Sequence, residues 1–286
     1  MIMIVVGIIG IALSSILVKY STAPSAVTAA YRLLWTVLLM SPVVLGTREI
    51  REELRTTDSK MIVLSCLSGF FLAIHFAVWF ESLKYTSVAS STTIVCTEVV
   101  WVALGFCLFM KGRLSGKAIL AILATLIGSV LIAFSDSAFG DSQLYGDILA
   151  LLAAIAVAVY TLIGRVVRKK VSTTVYTYIV YVVSAVTLVL MCLMQGHSVL
   201  AVDASAVIVG LLLAVFSTIL GHSIFSWCLK YFSPAFVSAS KLCEPVVAAV
   251  FAAILFREMP SFLQILGGVL ILGSVYYYSR IEKENE

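Results

Sequence analysis

The chain is built from apolar runs about as long as a bilayer is thick. Charges, Pro and Gly divide it into ten, at approximately residues 2 to 19, 26 to 46, 61 to 82, 86 to 109, 116 to 135, 145 to 166, 172 to 194, 204 to 229, 233 to 256 and 261 to 280. A hydrocarbon core about 30 Å thick takes roughly 20 residues of helix. Inside that core the chain itself must satisfy every backbone amide and carbonyl. The pattern therefore predicts an all-α membrane protein with ten transmembrane helices. Composition agrees, because 62% of the 286 residues are hydrophobic and 12% are charged, against roughly 25% charged in a soluble chain. Soluble enzymes and nucleic-acid binders are excluded. The first run reads as an uncleaved helix and not as a secretory signal, since no basic stretch precedes it and Lys19 ends it abruptly.

The net charge of +4 comes from 19 Lys and Arg against 15 Asp and Glu, and its information lies in where the cations sit. The loops between runs 2 and 3, 4 and 5, 6 and 7, and 8 and 9, together with the C-terminal tail, hold fourteen of them, from Arg48 and Arg51 through Arg168, Lys169 and Lys170 to Lys283. The opposite loops hold Lys19, Lys84 and Arg257. Positive loops stay in the cytoplasm, so both termini are predicted to be cytoplasmic, in a plasma or inner membrane. The cysteines Cys66, Cys96, Cys107, Cys192, Cys228 and Cys243 all fall inside apolar runs without a CxxC pair. They read as core packing, with no disulfide and no metal site.

Displacing the chain by 146 residues lays Leu83-Lys84-Tyr85 on Leu229-Lys230-Tyr231, Ser87 on Ser233, Ala89 on Ala235 and Glu98 on Glu244. A displacement of 145 then lays Gly128-Ser129-Val130 on Gly273-Ser274-Val275. Five spans thus map onto the next five, which divides the chain into repeats at 1–138 and 139–286. An odd-numbered repeat inserts with opposite orientation, the inverted arrangement of many secondary transporters.

Over nearly its whole length the sequence resembles the EamA-type members of the drug/metabolite transporter superfamily. The resemblance rests on Ala30-Tyr31-Arg32, on Trp79 to Tyr85 leading into Ser87-Val88-Ala89, on Thr97-Glu98, on Leu229-Lys230-Tyr231, and on Glu244-Pro245, Glu258 and Gln264 with Gly267-Gly268. Two positions depart from the family pattern: Val99 follows Glu98 where Pro is usual, and Lys111-Gly112-Arg113 replaces an acidic residue. The resemblance implies a 5+5 helical fold with a central cavity, alternating access, and frequent export of amino acids or related metabolites.

Arg32, Glu98, Lys241 and Glu244 lie within apolar runs. Facing lipid, they would together cost about 10 to 14 kcal/mol, so they must face the interior. Lys241 and Glu244 stand one helical turn apart and can pair, either as a structural pair in the ninth run or as part of gating or substrate binding. Arg32 and Glu98 lack partners of opposite sign on their own helices. They can pair with each other, or Arg32 can hold a substrate carboxylate while Glu98 holds an ammonium or carries a proton. His75 and Trp79 share one face of the third run, and Glu98 and Trp101 share one of the fourth, which suggests a pocket wall. His75 and His222 also suit plain interhelical hydrogen bonding or packing. Tyr31, Tyr160 and Trp227 are further candidates for the lining. Small-residue pairs, Ser87 with Ser91, Ala124 with Gly128 and Ala235 with Ala239, permit close helix approach and equally a homodimer. Pro245 is placed as a hinge, because it frees a carbonyl near Lys241.

The sequence contains no HExxH, GxSxG or P-loop motif. The reading is therefore a carrier without cofactor, not an enzyme, moving a small-molecule substrate across lipid by alternating access and drawing on a gradient and not on ATP. A membrane-embedded enzyme and an exporter of cationic drugs are the competing classes.

Overall fold

The structure is a computed structural model and describes residues 2–18, 20–85, 91, 94–136, 144–199, 204–244, 246–247, 250–251 and 261–284, all helix and connecting segments with no strand among them. The helices are α1 (Ile2–Val18), α2 (Ser25–Gly46), α3 (Arg48–Thr56), α4 (Ser59–Ser82), α5 (Glu98–Met110), α6 (Gly116–Asp136), α7 (Leu144–Val167), α8 (Thr173–Met194), α9 (Ala204–Cys228), α10 (Pro234–Lys241) and α11 (Phe262–Glu284). Lys19, Ser87, Val88, Ala89, Pro245, Arg257, Glu258, Pro260, the side chain of Gln264 and the 138/139 boundary lie outside the described residues. Helices α2, α4, α7, α8 and α9 are long and apolar enough to cross a bilayer, and Ile94–Met110, Gly116–Leu131 and Ile265–Ile281 are shorter apolar stretches.

Most helices begin and end where the hydropathy pattern puts them. Ser172 caps α8 by accepting from the Val175 amide at 3.3 Å. Ser233 caps α10 from the Phe236 amide at 3.2 Å, with Pro234 in the first turn, where no amide is needed. Helix α3 was not anticipated. It is a charged segment stapled by Arg48 to Glu52 at 2.8 Å, and Glu53 accepts from the Ser172 amide at 2.6 Å. Helix α9 is interrupted by a π-helical stretch, Leu213–His222, in which amides and hydroxyls reach back five residues: Ser223 N bonds Thr218 O, and Thr218 Oγ1 bonds Leu213 O at 3.2 Å.

Close approach is made at glycine. A Cβ on Gly69 of α4 would stand 2.5 Å from Val180 O of α8, and one on Gly10 of α1 would stand 2.6 Å from Phe216 O of α9. Gly128 of α6, from the predicted Ala124/Gly128 pair, lies against Gly267 O of α11 in the same way, at 2.8 Å.

Buried apolar side chains fall into two clusters. The first joins α2, α4, α7 and α8 with the start of α9. The second joins α1, α5, α6, α10 and α11 with the end of α9. Each cluster draws on both halves of the sequence, so packing does not follow the repeat. Cys107 does not pack as the sequence suggested: it is exposed on the outer surface of α5, while Cys96, Cys192, Cys228 and Cys243 are buried and Cys66 is partly so, all six as free thiols. An apolar run encodes both lipid-facing and core-facing positions, and Cys satisfies either.

Candidate functional site

The site forms where two helices break. The helix containing Ile94–Cys96 is interrupted at Thr97, whose amide reaches only three residues back, to Ile94 O at 3.0 Å, before α5 starts at Glu98. Helix α10 stops at Lys241 in the same manner, and the Cys243 amide bonds Ser240 O at 3.2 Å. These positions are 146 residues apart. In the first break the Thr97 hydroxyl also bonds Ile94 O, at 2.6 Å, so the interruption forms without proline. The ends of α4 and α9 match too. Lys84 N bonds Glu81 O at 3.0 Å as Lys230 N bonds Trp227 O at 3.1 Å, and Tyr85 N bonds Ser82 O at 3.0 Å as Tyr231 N bonds Cys228 O at 2.9 Å.

The breaks deliver the charged side chains. Lys241 Nζ donates to Glu98 Oε1 at 2.8 Å, with side-chain exposures of 12% and 8%. This corrects the expected local pairing of Lys241 with Glu244. Three-residue spacing places side chains on one face only along an unbroken helix, and Leu242 and Cys243 form a turn between the two. Glu244 makes no hydrogen bond or ion pair among the described residues. Lys241 also lies 5.6 Å from the Phe225 ring centroid.

Arg32 does not pair with Glu98 either. It is 1% exposed, donating from Nε to Thr218 Oγ1 at 2.7 Å and from Nη1 to Ser14 Oγ at 3.2 Å. Its guanidinium stands 4.1 Å over the Phe76 ring, a cation–π contact that desolvation strengthens, and Nη2 has no partner. The π-helical stretch carries Thr218, so it contributes directly to holding this cation.

His75 Nδ1 donates to Ala153 O at 3.0 Å in the tautomer that bond requires, and its ring stacks on Trp79 at 5.8 Å and 16°. His222 meets Phe76 edge-on at 5.2 Å and stands 6.5 Å from His75. Together these residues enclose a cavity of about 610 Å³, counted out to its open mouth and lined by Ile11, Ser14, His75, Trp79, Val95, Cys96, Glu98, Val157, His222, Ser238, Lys241, Leu242 and Glu244. Four lining pairs, Ile11 with Val157, Val95 with Lys241, Cys96 with Leu242 and Glu98 with Glu244, are also 146 residues apart.

Of the predicted site residues, His75, Trp79, Glu98, His222, Lys241 and Glu244 meet at this cavity. Arg32 stands one side chain behind the wall, reaching it through Ser14. Tyr160 is also behind it, its hydroxyl bonded to Ser226 at 2.7 Å. Trp101 is 36% exposed and outside the lining, because three residues of helix leave it about 60° off the Glu98 direction. Tyr31 bonds Val199 O at 2.6 Å and Trp227 packs on Tyr231, both away from the cavity. Ser14 and Ser238 were missed: no charge or aromatic marks them, and only the three-dimensional packing selects them.

The model of the EamA-like transporter family matches this chain over residues 1–134 and 144–280. The chain belongs to that family. This EamA-like transporter is 24% identical over 243 residues to an uncharacterized transporter of Archaeoglobus fulgidus, covering 84% of this chain and 83% of that protein. It is 28% identical over 235 residues to a probable amino-acid metabolite efflux pump of Escherichia coli K12, covering 75% of this chain and 76% of the pump. A crystal structure with 17% identity superposes with a TM-score of 0.79 over 100% of this chain and 98% of its own, which shows a shared fold.

Proposed function

We propose that this EamA-like transporter is a secondary carrier of the cell membrane with both termini in the cytoplasm, exporting an amino acid or a related small metabolite. It is read as ten helices in two inverted five-helix repeats, 1–138 and 139–286. The observation that carries the reading is the cavity, where broken helices from both halves bring two carboxylates and one ammonium to a single space that α4 and α9 line with two imidazoles. Discontinuous helices meeting at a shared site are the usual construction of secondary transporters. The recurrence of the helix breaks and helix ends at a spacing of 146 residues supports an inverted repeat. The relatives named as amino-acid metabolite efflux pumps support the substrate class and the direction.

The packing refines the motion. Rocking the two sequence halves as rigid bodies would tear both apolar clusters. Rocking the clusters against each other leaves them intact and works the cavity, whose Ile11, Cys96 and Leu242 belong to one cluster and Trp79 and Val157 to the other.

The test is counterflow in proteoliposomes with labelled neutral and aromatic amino acids, with and without a pH gradient. Saturable exchange of one class is expected, with loss of exchange in a folded Glu98→Gln variant. Full exchange by that variant, or none by the folded parent across the panel, overturns the reading.

A further inference from the structure

The backbone bonds at the end of α9 pass over one carbonyl. The Leu229 amide reaches Phe225 O at 3.0 Å, but the next two shorten their reach, Lys230 N to Trp227 O at 3.1 Å and Tyr231 N to Cys228 O at 2.9 Å. Ser226 O thereby loses the amide four residues on, and Arg168 Nε donates to it at 3.1 Å. Arg165 Nη1 donates to Leu229 O at 2.6 Å. A cation suits the negative end of a helix dipole, and bonds from a guanidinium are the stronger kind. Arg168 is 2% exposed, and its Nη1 also donates to Val171 O, so it is tied to its own turn while it reaches α9.

These bonds cross the boundary between the two apolar clusters. Val167 and Val171, on either side of Arg168, belong to the first, whereas Phe225, Cys228 and Leu229 belong to the second. They also lie beyond the cavity, at one end of it. Arg165 is eight residues past Val157 and Leu229 is seven past His222, about 10–12 Å along each helix. The carbonyl 146 residues before Ser226 is Phe80 O of α4, passed over by the matching amides. It lies at the opposite end, because the contacts of α4 with α7 run from Tyr85 on Tyr145, through His75 on Ala153, to Ser68 on Tyr160. Phe80 O accepts from Ser25 Oγ at 3.1 Å, a neutral hydroxyl, and both Phe80 and Ala26 belong to the first cluster. The α7–α9 end is thus tied across the boundary by two cations, and the matching carbonyl is tied inside one cluster by a hydroxyl.

We propose that Arg165 and Arg168 form a latch that holds the two clusters together at the α7–α9 end, the end predicted to be cytoplasmic, and that opening there requires both guanidiniums to leave α9. The latch rests on the carrier reading for its purpose, since rocking of the clusters is part of that reading. A bond inside one cluster survives such rocking, whereas a bond between clusters must break. Loss of one charge-assisted bond shifts a two-state equilibrium by about tenfold.

The test is electron–electron double resonance on the purified full chain. Spin labels are attached through p-acetylphenylalanine, which leaves the native cysteines untouched. One labelled pair replaces Lys169 and Lys230, exposed on either side of the latch. The other replaces Lys84 and Phe262, exposed at the opposite end, where α11 starts, since its Tyr278 packs on Phe236 at the start of α10. In Arg165→Gln/Arg168→Gln the 169/230 pair is expected to gain a longer component at least about tenfold more populated than in the parent, and the 84/262 pair a shorter one that grows in step. Arg165→Gln alone, at a half-buried position, is expected to move both pairs in the same directions, which gives a reading where the double variant does not fold. Ser25→Ala is expected to move neither. A spread at 169/230 with 84/262 unchanged is a frayed helix end and overturns the inference, as do parental distances in both pairs or the same shifts in Ser25→Ala. If the distances stay parental while counterflow succeeds, only the latch falls. If they shift as expected while counterflow fails, only the carrier reading falls.

Discussion

Gly69→Ala tests whether the α4–α8 crossing is set by backbone contact. The added methyl would stand 2.5 Å from Val180 O, 3.0 Å from Val183 Cβ and 3.1 Å from Val180 Cα. A carbon normally keeps about 3.3 Å or more from a carbonyl oxygen, so the helices must part by about 0.8 Å. The obstacle is backbone and cannot rotate aside. Parting also strains the Ser184 hydroxyl, which shares its one proton between Gly69 O at 2.7 Å and Val180 O at 2.8 Å. Overpacking of this kind costs about 1–3 kcal/mol, and an interhelical hydrogen bond in a membrane protein is worth about 0.6 kcal/mol. The better helix propensity of Ala returns up to about 1 kcal/mol, leaving a net destabilisation of about 1–3 kcal/mol. Gly273→Ala is the control, because nothing lies within 4 Å of its added methyl and the same propensity gain is unopposed. Both variants, with the parent, are unfolded in mixed micelles of rising SDS fraction and followed by circular dichroism. A Gly69→Ala protein as stable as the parent, or a Gly273→Ala protein equally destabilised, refutes the account.

The Glu98–Lys241 pair gives a stability cycle by the same assay. Lys241→Met strands two carboxylates in one cavity and is expected to cost about 3–5 kcal/mol, and Glu98→Gln, which takes the carboxylate from the lysine, is likewise expected to destabilise; parental stability in both variants refutes the pairing. Arg32→Lys is expected to destabilise by about 1–3 kcal/mol despite conserving charge, since a compact ammonium cannot bond Thr218 and Ser14 while lying over Phe76; parental stability refutes that role. Ser172→Ala is expected to lower stability by about 1 kcal/mol through loss of the α8 cap, and no change in the SDS midpoint contradicts it.

The spans α2, α4, α7, α8 and α9 were legible because lipid imposes one requirement on every residue of a run, so hydropathy alone placed α2 at 26 to 46 against Ser25–Gly46. Helix α3 was not legible, since its nine residues alternate charges as a loop does. The site was legible as residue types and only partly as partners. Buried charges announced themselves by their cost, which is why Glu98, Lys241 and Glu244 were found. Their pairing was misjudged because one-turn spacing assumes a continuous helix, and the turn at Leu242–Cys243 carries no proline before it. Arg32 illustrates the remaining gap: its partners Ser14 and Thr218 are hydroxyls on distant helices, chosen by packing and by a π-helical stretch that hydropathy cannot register.

That stretch also sets the mechanical character of α9. A π segment is slack wound into a rod, and it fixes the rotational phase of everything downstream. Ser223 and Ser226 reach Tyr181 and Tyr160, at 2.9 Å and 2.7 Å, only because the winding is loose between Leu213 and His222. Deleting one residue there would swing both serines about 100° around the axis and release both tyrosines. The part of α4 that lies 146 residues earlier is ordinary α-helix, so the matching stretches of the two halves are wound differently. Exchanging their roles would not reproduce the same packing, so on the proposed alternating-access reading the two states differ in energy before any substrate arrives.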